Sequence, residues 1–393
     1  MAKVYFGSVA VTKPSAPSTL PGKLQRILRK CNLPKLCSGD WVPVKMHLGG
    51  GLEDKLPEAL AQAIRMKHNN CIVHGMDSQK ILYIYSDGNY IRMVTEAVRD
   101  AGGKPIVVDG YFETVAEAHL HGYTQETVGC PIVAAGGVFN SHVVEKRAGY
   151  LTYDTAEIFG LIAEAKCLIN LSHVKGHGVC AYGGACKNIA MGCVNGRTRR
   201  KIHALQGGID WVADRCRFCG KCAAACDRHA IEIDPKKKTL HIDFHACRYC
   251  RHCALACPEH ALVVNDERGF RHFQEGMAIT TKLALEHLEP ERLLHINLLT
   301  DITMFCDCWG ITTPSMVPDI GVLASHDIVA IEQASLDMIR TENFIEGSLI
   351  GDAALGEGTH LLEKIHGKDP FVQVDALERH GLGSRKYELE EVF

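Results

Sequence analysis

Short apolar runs alternate with amphipathic stretches along most of this chain. The apolar runs have the length and the flanking turn residues of buried strands, and they lie at 41–46, 81–85, 105–108, 131–134, 167–171 and 293–298. Helical spacing of apolar residues predicts helices at 23–30, 52–67, 90–101, 114–121, 153–165, 274–288 and 327–340. Alternation of strands and helices is typical of α/β proteins, so we expect a mostly parallel sheet covered by helices.

Two copies of one cysteine pattern interrupt this alternation in the middle of the chain. Each copy has the spacing C-x2-C-x2-C-x3-C, and the cysteines are Cys216, Cys219, Cys222 and Cys226, then Cys247, Cys250, Cys253 and Cys257. The residues that follow also match, since His229-Ala and His260-Ala occupy equivalent positions. The segment is therefore an internal repeat.

Bacterial ferredoxins use this spacing to bind two 4Fe-4S clusters, and the fourth cysteine of each copy ligates the other cluster. On that rule the first cluster is held by Cys216, Cys219, Cys222 and Cys257, and the second by Cys247, Cys250, Cys253 and Cys226. Zinc modules instead use two separated C-x2-C pairs, whereas each copy here has three cysteines in one tight loop. We therefore expect two 4Fe-4S clusters as cofactors.

The repeat also predicts how the chain is divided. We expect an α/β body with a first part at 1–210 and a second part at 269–393, interrupted at 211–268 by an inserted α+β bacterial-type ferredoxin domain. Both ends of an insert are fixed in its host, which would hold the clusters at a defined place against the body. A free electron shuttle has no need of such a body.

The composition excludes several classes of function. The chain has 393 residues, of which 46% are hydrophobic and 23% are charged, as in ordinary globular proteins. A net charge of −3 predicts no strong field for nucleic acid or membrane surfaces. No apolar run approaches the roughly 20 residues that span a bilayer, and no signal-peptide pattern is visible, so we expect a cytoplasmic protein. The 18 cysteines in so large a chain indicate reduced thiols and a reducing or anaerobic cytosol.

A stretch rich in polar residues and glycine follows the apolar run at 167–171. Its polar residues include His173, Lys175, His177, Lys187 and Asn188. Ligands of open α/β sheets bind beyond the carboxyl ends of the strands. We expect the two histidines to move protons and the two lysines to bind a carboxylate or phosphate. The alternative is a purely structural role, because a single histidine is often a buried residue whose hydrogen bonds are made within the core. No G-x-G-x-x-G sequence opens a helix here, so no nicotinamide cofactor is expected.

A second group of polar residues follows the apolar run at 293–298. Cys306 and Cys308 are two positions apart, which is too close for a relaxed disulfide, but they could coordinate a metal or a third cluster. Cys193 is the candidate third ligand, with Cys180 or Cys186 as less favoured ones. The alternative is that the two cysteines are small buried apolar residues.

A weaker element precedes three glycines at 49–51. Lys45 and His47 come just before these glycines, and the predicted helix at 52–67 follows them. A helix start preceded by glycines can bind an anion, although such turns also occur for steric reasons alone.

Together these motifs resemble the family called domain of unknown function 362, in the branch with an inserted ferredoxin. The matching segments, in chain order, are 44–49, 172–177, 183–188, 191–193, the two cysteine motifs, 306–308, 319–321 and 327–332. Two positions depart from the family pattern, because Cys186 replaces a usual apolar residue and Glu332 a usual aspartate. The resemblance implies an α/β body with an inserted ferredoxin carrying two 4Fe-4S clusters, and it supplies no defined reaction.

These observations predict an iron–sulfur oxidoreductase. Its clusters would pass electrons to a site on the α/β body and reduce a small anionic or sulfur-containing molecule. We expect a ferredoxin or flavoprotein as electron donor, and neither nucleic acid nor membrane as a partner. Two alternatives stay open: an electron-transfer subunit without catalysis, and a sulfur-transfer or assembly protein with a third metal or cluster.

Overall fold

The structure is a computed structural model of the chain. It describes residues 1–11, 13, 15–48, 88–110, 113–244, 246–247, 250–265, 269–309, 313–350 and 353–393. The strand expected at 81–85, the helix expected at 52–67 and the glycines at 49–51 lie outside the described residues.

The described residues form strands throughout the chain. In chain order they are β1 Ala2–Ser8, β2 Trp41–Lys45, β3 Lys104–Asp109, β4 Ile132–Ala134, β5 Val143–Tyr150, β6 Tyr153–Phe159, β7 Leu168–His173, β8 Lys175–His177, β9 Ala181–Gly183, β10 Ile209–Trp211, β11 Ile231–Asp234, β12 Thr239–Ile242, β13 Leu262–Val264, β14 Leu293–Leu299, β15 Gly321–Ser325 and β16 Tyr387–Glu391.

Eight of these strands build one large sheet in the order β16-β1-β15-β14-β7-β2-β3-β4. β15 runs antiparallel to both of its neighbours, whereas the other neighbouring pairs are parallel. The carboxyl ends of seven strands therefore meet at the same edge of the sheet. The α/β class and the mostly parallel, helix-covered sheet are confirmed.

Helices cover both faces of this sheet. The α-helices of the described residues are Leu20–Lys30, Leu33–Cys37, Gly88–Asp100, Glu113–Leu120, Gln125–Val128, Gly160–Ala163, Ala185–Gly192, Gly196–His203, Lys221–Ala224, His252–Leu255, Phe270–Leu285, Ile328–Met338, Leu361–His366 and Val372–Arg379. Leu294, Ile296 and Leu298 of β14 pack on one face with the N-terminal helices, and a second apolar core fills the other face. No helix in the described part of the chain is long and apolar enough to cross a bilayer.

One expected helix is wrong. The segment 153–165 forms the strand β6 and then only the short helix Gly160–Ala163. β6 pairs with β5 in an antiparallel hairpin, and its buried residues Tyr153, Ala156 and Ile158 pack into the main core. Strand pairing and burial thus outweighed the local helical spacing. The expectations also missed β1, β15 and β16.

The segment between β10 and β13 repeats its structure as well as its sequence. The helix Lys221–Ala224 recurs 31 positions later as His252–Leu255, and β11 recurs at the same offset as β13. β10 pairs with β13, and β11 pairs with β12, in two small antiparallel sheets outside the large one. These elements share a small apolar cluster of their own. The boundaries at 211 and 268 stay a prediction.

A buried carboxylate joins three elements behind the sheet edge. Glu332, on the helix Ile328–Met338, is fully buried. Its Oε1 accepts from the backbone N–H of Ala185, from the hydroxyl of Tyr182 and from the side-chain amide of Asn297. Burial raises the pKa of Glu332 to about 7, although these hydrogen bonds oppose the rise.

This raised pKa gives a testable pH dependence. The folded state retains a proton that the unfolded state releases near its usual pKa of about 4.5, so stability falls as the pH rises from about 4.5 to 7. The loss should total at most about 3 kcal/mol. The Glu332→Gln variant should lack this loss. Between pH 5.5 and 8, its melting temperature relative to that of the native protein should therefore rise. A difference in melting temperature that does not change with pH would show that Glu332 has an ordinary pKa.

Candidate functional site

Ionisable residues converge at the edge where parallel strands end. Lys45 ends β2, Asp109 ends β3 and His173 ends β7, while Asp307 follows β14. These three strands and β14 are consecutive neighbours in the sheet, so their ends lie side by side. The site is thus at the position where open α/β sheets bind ligands.

Lys45 and Asp109 form a buried ion pair. The Lys45 Nζ lies 2.9 Å from Asp109 Oδ1, and both side chains are almost inaccessible to water. Asp109 also accepts from the backbone N–H groups of Leu48 and Gly110. Burial alone would raise the pKa of Asp109, but Lys45 and His47 hold it below its usual range. A Cβ at position 192 would lie 2.3 Å from Lys45 Nζ, so a larger residue there would displace the end of the Lys45 side chain.

Asn188 connects this pair to the polar stretch expected from the sequence. Its Oδ1 accepts from Lys45 Nζ at 2.7 Å. Its Nδ2 contacts the carbonyl oxygens of Lys45 and Leu171 and the side-chain oxygens of Asn170 and Ser172. One side chain on the helix Ala185–Gly192 therefore fastens that helix to the ends of β2 and β7.

A second buried group centres on Asp307. Its Oδ2 lies 2.7 Å from Lys175 Nζ and 3.1 Å from His173 Nδ1. The other ring nitrogen of His173 donates to the carbonyl of Thr300 at 2.8 Å. Burial would raise the pKa of Asp307, but Lys175 and His173 lower it, so the carboxylate is ionised. Lys175 and His173 are thus committed to Asp307 in this arrangement.

Lys187 faces the two cysteines expected after β14. Its Nζ is 3.2 Å from Cys306 Sγ and 3.4 Å from Cys308 Sγ. Cys306 is buried, and Cys308 is partly exposed. Burial would lower the pKa of Lys187, but the two sulfurs raise it above its usual value. The ammonium form is therefore favoured beside a negatively charged sulfur.

Cys306 and Cys308 shift each other's pKa in opposite directions. Burial disfavours a thiolate at Cys306, but a hydrogen bond from Cys308 and the charges of Lys187 and Lys175 lower its pKa. The pKa of Cys308 is raised, chiefly by that same hydrogen bond and by burial. These directions favour the negative charge on Cys306 and the proton on Cys308.

The hydrogen bonds of His177 fix its tautomer. Its Nδ1 accepts from the backbone N–H of Val179 at 3.1 Å, so this nitrogen carries no proton. The proton of the neutral ring is then on Nε2, which lies 3.8 Å from Cys308 Sγ. Burial raises the pKa of the neighbouring Cys180 to about 12, so that residue is a neutral thiol. His177 therefore points a proton donor at the cysteine pair.

The same three side chains are close enough to bind one metal ion. His177, Cys306 and Cys308 each offer a ligand atom, and these atoms lie within 4.8 Å of one another. A metal-binding histidine usually donates its other N–H to an acceptor, whereas Nδ1 of His177 accepts a hydrogen bond. The tautomer thus favours proton donation over metal binding.

Cys193 is not a member of this group within the described residues. It follows the helix Ala185–Gly192 and lies in the field of Lys45, Asp109 and Arg199. Burial raises the pKa of the Cys193 thiol to about 12. The structure therefore brings His177, and not Cys193, to the two cysteines.

The repeated cysteines lie around two separate centres. Cys216, Cys219 and Cys222 line one cavity together with Cys257 of the other copy. Around the second centre, burial raises the pKa of Cys253 to about 12, and the neighbouring Cys247, Cys226 and Cys250 add to this rise. The N–H of Ala230 points to Cys226 Sγ, and the N–H of Ala261 points to Cys257 Sγ, each at 3.3 Å. Each centre thus combines three cysteines of one copy with the fourth of the other.

A buried lysine joins the second centre to the site. Lys368 is 4% exposed, and its Nζ donates to the carbonyl oxygens of Cys247, Phe244 and Gly178. Gly178 belongs to the loop that follows His177. Burial lowers the pKa of Lys368 to about 8. Its Nζ donates to neutral carbonyl groups, so the buried charge is favoured by negative groups nearby, of which Asp243 is one.

Arg228 strengthens this connection. It is 8% exposed and donates to the carbonyl of Ile365 at 2.7 Å. Cys226 and Cys247, both of the second centre, also pack against the main core. The second centre therefore faces the α/β body, whereas Cys219 of the first centre is exposed.

The model of the family called domain of unknown function (DUF362) matches residues 71–337, which is more than half of the chain. The chain belongs to the DUF362 family. No curated protein matches it. The family is defined by sequence and carries no assigned reaction, so the activity of this DUF362 protein has to be argued from its site.

Several residues of the DUF362 site had no signal in the sequence. Asp109 stands one position past the expected strand at 105–108, and only its pairing with Lys45 gives it a role. Asp307 was visible between two cysteines, but its contact with Lys175 was not. Lys368 is far along the chain from every motif, and nothing in its local sequence distinguishes it.

The Lys45–Asp109 pair gives a test of this site in the DUF362 protein. Lys45→Met would leave a buried carboxylate without its cation, which should cost about 3–5 kcal/mol of unfolding free energy. Adding Asp109→Asn removes the unpaired charge, so the double variant should recover part of that loss. Urea unfolding of the native protein, both single variants and the double variant would measure the coupling. Additive losses would mean that the two side chains do not interact.

Proposed function

We propose that this DUF362 protein is an iron–sulfur oxidoreductase that delivers electrons to the Cys306–Cys308 site. The observation that carries the proposal is the cavity lined by three cysteines of one copy and Cys257 of the other. Such crossed ligation is what the ferredoxin spacing requires. When bound, two 4Fe-4S clusters would supply one-electron transfer at low potential.

The residues present fit such clusters. Each centre offers four thiols at the spacing that cubane clusters use, and backbone N–H groups point to the sulfurs of Cys226 and Cys257. A cluster held by four thiolates carries net negative charge. That charge would compensate the buried ammonium group of Lys368 beside Cys247, which supports the assignment.

At the other end, the chain's own residues supply charge and protons. Lys187 holds an ammonium group against both sulfurs, and His177 directs a proton toward Cys308. A small anion or a sulfur compound that reached Lys187 would meet a cation, a thiolate and a proton donor together. Reduction of an electron-poor sulfur or anionic group fits this combination best. A ferredoxin or flavoprotein stays the expected electron donor.

A third metal is the second candidate, because His177, Cys306 and Cys308 lie within reach of one ion. The tautomer of His177 opposes it. The metal content of the protein distinguishes the two.

Iron and sulfide counts on anaerobically purified protein test the clusters. Two cubanes predict about eight irons and eight sulfides per chain, and a third cluster would raise the iron toward about twelve. Cys219→Ala and Cys250→Ala should each lose iron from one cluster, up to about four irons. Cys31→Ala, at a buried cysteine outside both centres, should keep the native content. Full iron in both ligand variants would contradict the proposal.

In the same preparations, the metal content of the Cys306→Ala/Cys308→Ala variant shows whether this site binds a third metal. With no metal at that site, the double variant should retain every iron and zinc of the native protein. Loss of a metal from it would make the site a metal centre.

Reoxidation of the reduced protein tests the reducing site. Dithionite first reduces the protein, and tetrathionate is then added, since this anion has a sulfur–sulfur bond that two electrons cleave into two thiosulfate ions. Lys187→Met should slow the reoxidation on the order of a hundredfold, as loss of one charge-stabilising group does. Reduction by dithionite should be unchanged. Lys166→Met, at a lysine whose side chain is 74% exposed, is the matched control. Equal reoxidation rates in all three proteins would favour an electron-transfer subunit without a catalytic site.

A further inference from the structure

We infer that buried charges make the second cluster site, formed by Cys247, Cys250, Cys253 and Cys226, the stronger electron acceptor of the two. The inference rests on the proposed function, because it assumes clusters at both sites. It adds a direction: electrons that enter at the exposed first site are drawn toward the α/β body.

The second site has two buried cations beside it. Lys368 donates to the carbonyl of Cys247, and the buried Arg228, two positions after Cys226, lies close enough to Lys368 to lower its pKa. Asp243 is also near Lys368, but it is one partly exposed carboxylate against two buried cations. Reduction adds a negative charge to a cluster, and nearby positive charge stabilises that state. In the poorly hydrated interior these charges are weakly screened.

The repeat places the opposite charge at the first site. The position of Arg228 corresponds, 31 residues later, to Glu259. Glu259 lines the same cavity as Cys216, Cys219, Cys222 and Cys257. Its partner is Arg217 at 3.2 Å, but the Arg217 side chain is 75% exposed and the Glu259 side chain 29%. Water and salt screen that arginine more than the carboxylate.

Exposure to solvent opposes this order of the two potentials. Cys219 is exposed, and contact with water also stabilises a reduced cluster. Solvent exposure affects one cysteine of the first site, Cys219. The second site has two buried cations, Lys368 and Arg228, in the interior. We therefore expect charge to decide the order of the two potentials.

Redox titration followed by electron paramagnetic resonance measures both potentials in the intact protein. Cys219→Ala, which alters only the first site, assigns the two signals. In the native protein the second site should have the higher potential. Lys368→Met should lower it and leave the first site unchanged, shifting the electron distribution between the sites at least tenfold, or about 59 mV for one electron. Glu259→Gln should raise only the potential of the first site. Lys221→Met, at an exposed lysine beside Cys222, is the matched control and should change neither.

The outcomes separate this inference from the proposed function. Preparations without iron would overturn the proposed function itself. With about eight irons per chain, equal potentials at the two sites, or a gap that Lys368→Met leaves unchanged, would overturn the inference alone. If Lys368→Met does not fold, the native gap and the shift in Glu259→Gln still decide, and the absence of either one contradicts the inference.

Discussion

Positive charge withdrawn from water is the constraint on which this structure depends. Four lysines around the sheet edge have their ammonium groups wholly or partly enclosed, and each needs negative charge close by. Lys45 finds Asp109, Lys175 finds Asp307, and Lys187 finds the sulfurs of Cys306 and Cys308. Lys368 contacts backbone carbonyl groups beside Cys247. The first three pairs hold the strand ends together, and the fourth lysine has the carboxylate of Asp243 nearby.

This arrangement gives the two halves of the molecule a common boundary. The helix Ala185–Gly192 carries both Asn188, which binds the strand ends, and Lys187, which faces the cysteines. Lys368 links the loop after His177 to the second group of repeated cysteines. Few side chains and little water separate the two sides of this boundary. A change of charge on one side therefore changes the electrostatic potential on the other. The fold thus places the second group of repeated cysteines and the Cys306–Cys308 pair in one weakly screened environment.

The sequence predicted a strand or helix well where the residues of that element alone determine its conformation. The apolar runs of β2, β3, β7 and β14 were recognisable because each is largely buried on both faces. β6 was mistaken for a helix because its pairing with β5 decides its conformation. β1 and β16 escaped recognition since their pairing joins the two ends of the chain. Contacts between distant segments leave no periodic trace in either one.

The sequence by itself determined the class of the fold and the DUF362 membership, because both are visible as patterns along most of the chain. It also determined the two cysteine sets, because their spacing lies within short segments. It also drew attention to His173, Lys175, His177, Lys187, Cys306 and Cys308. Only the tertiary structure decided how these residues are paired. In the folded protein Lys175 contacts Asp307, and Lys187 contacts the two cysteines. His177, and not Cys193, is the third residue close to those cysteines. The reason is physical: an ion pair or a shared proton depends on distances of about 3 Å, and the fold brings these groups together from more than a hundred positions apart.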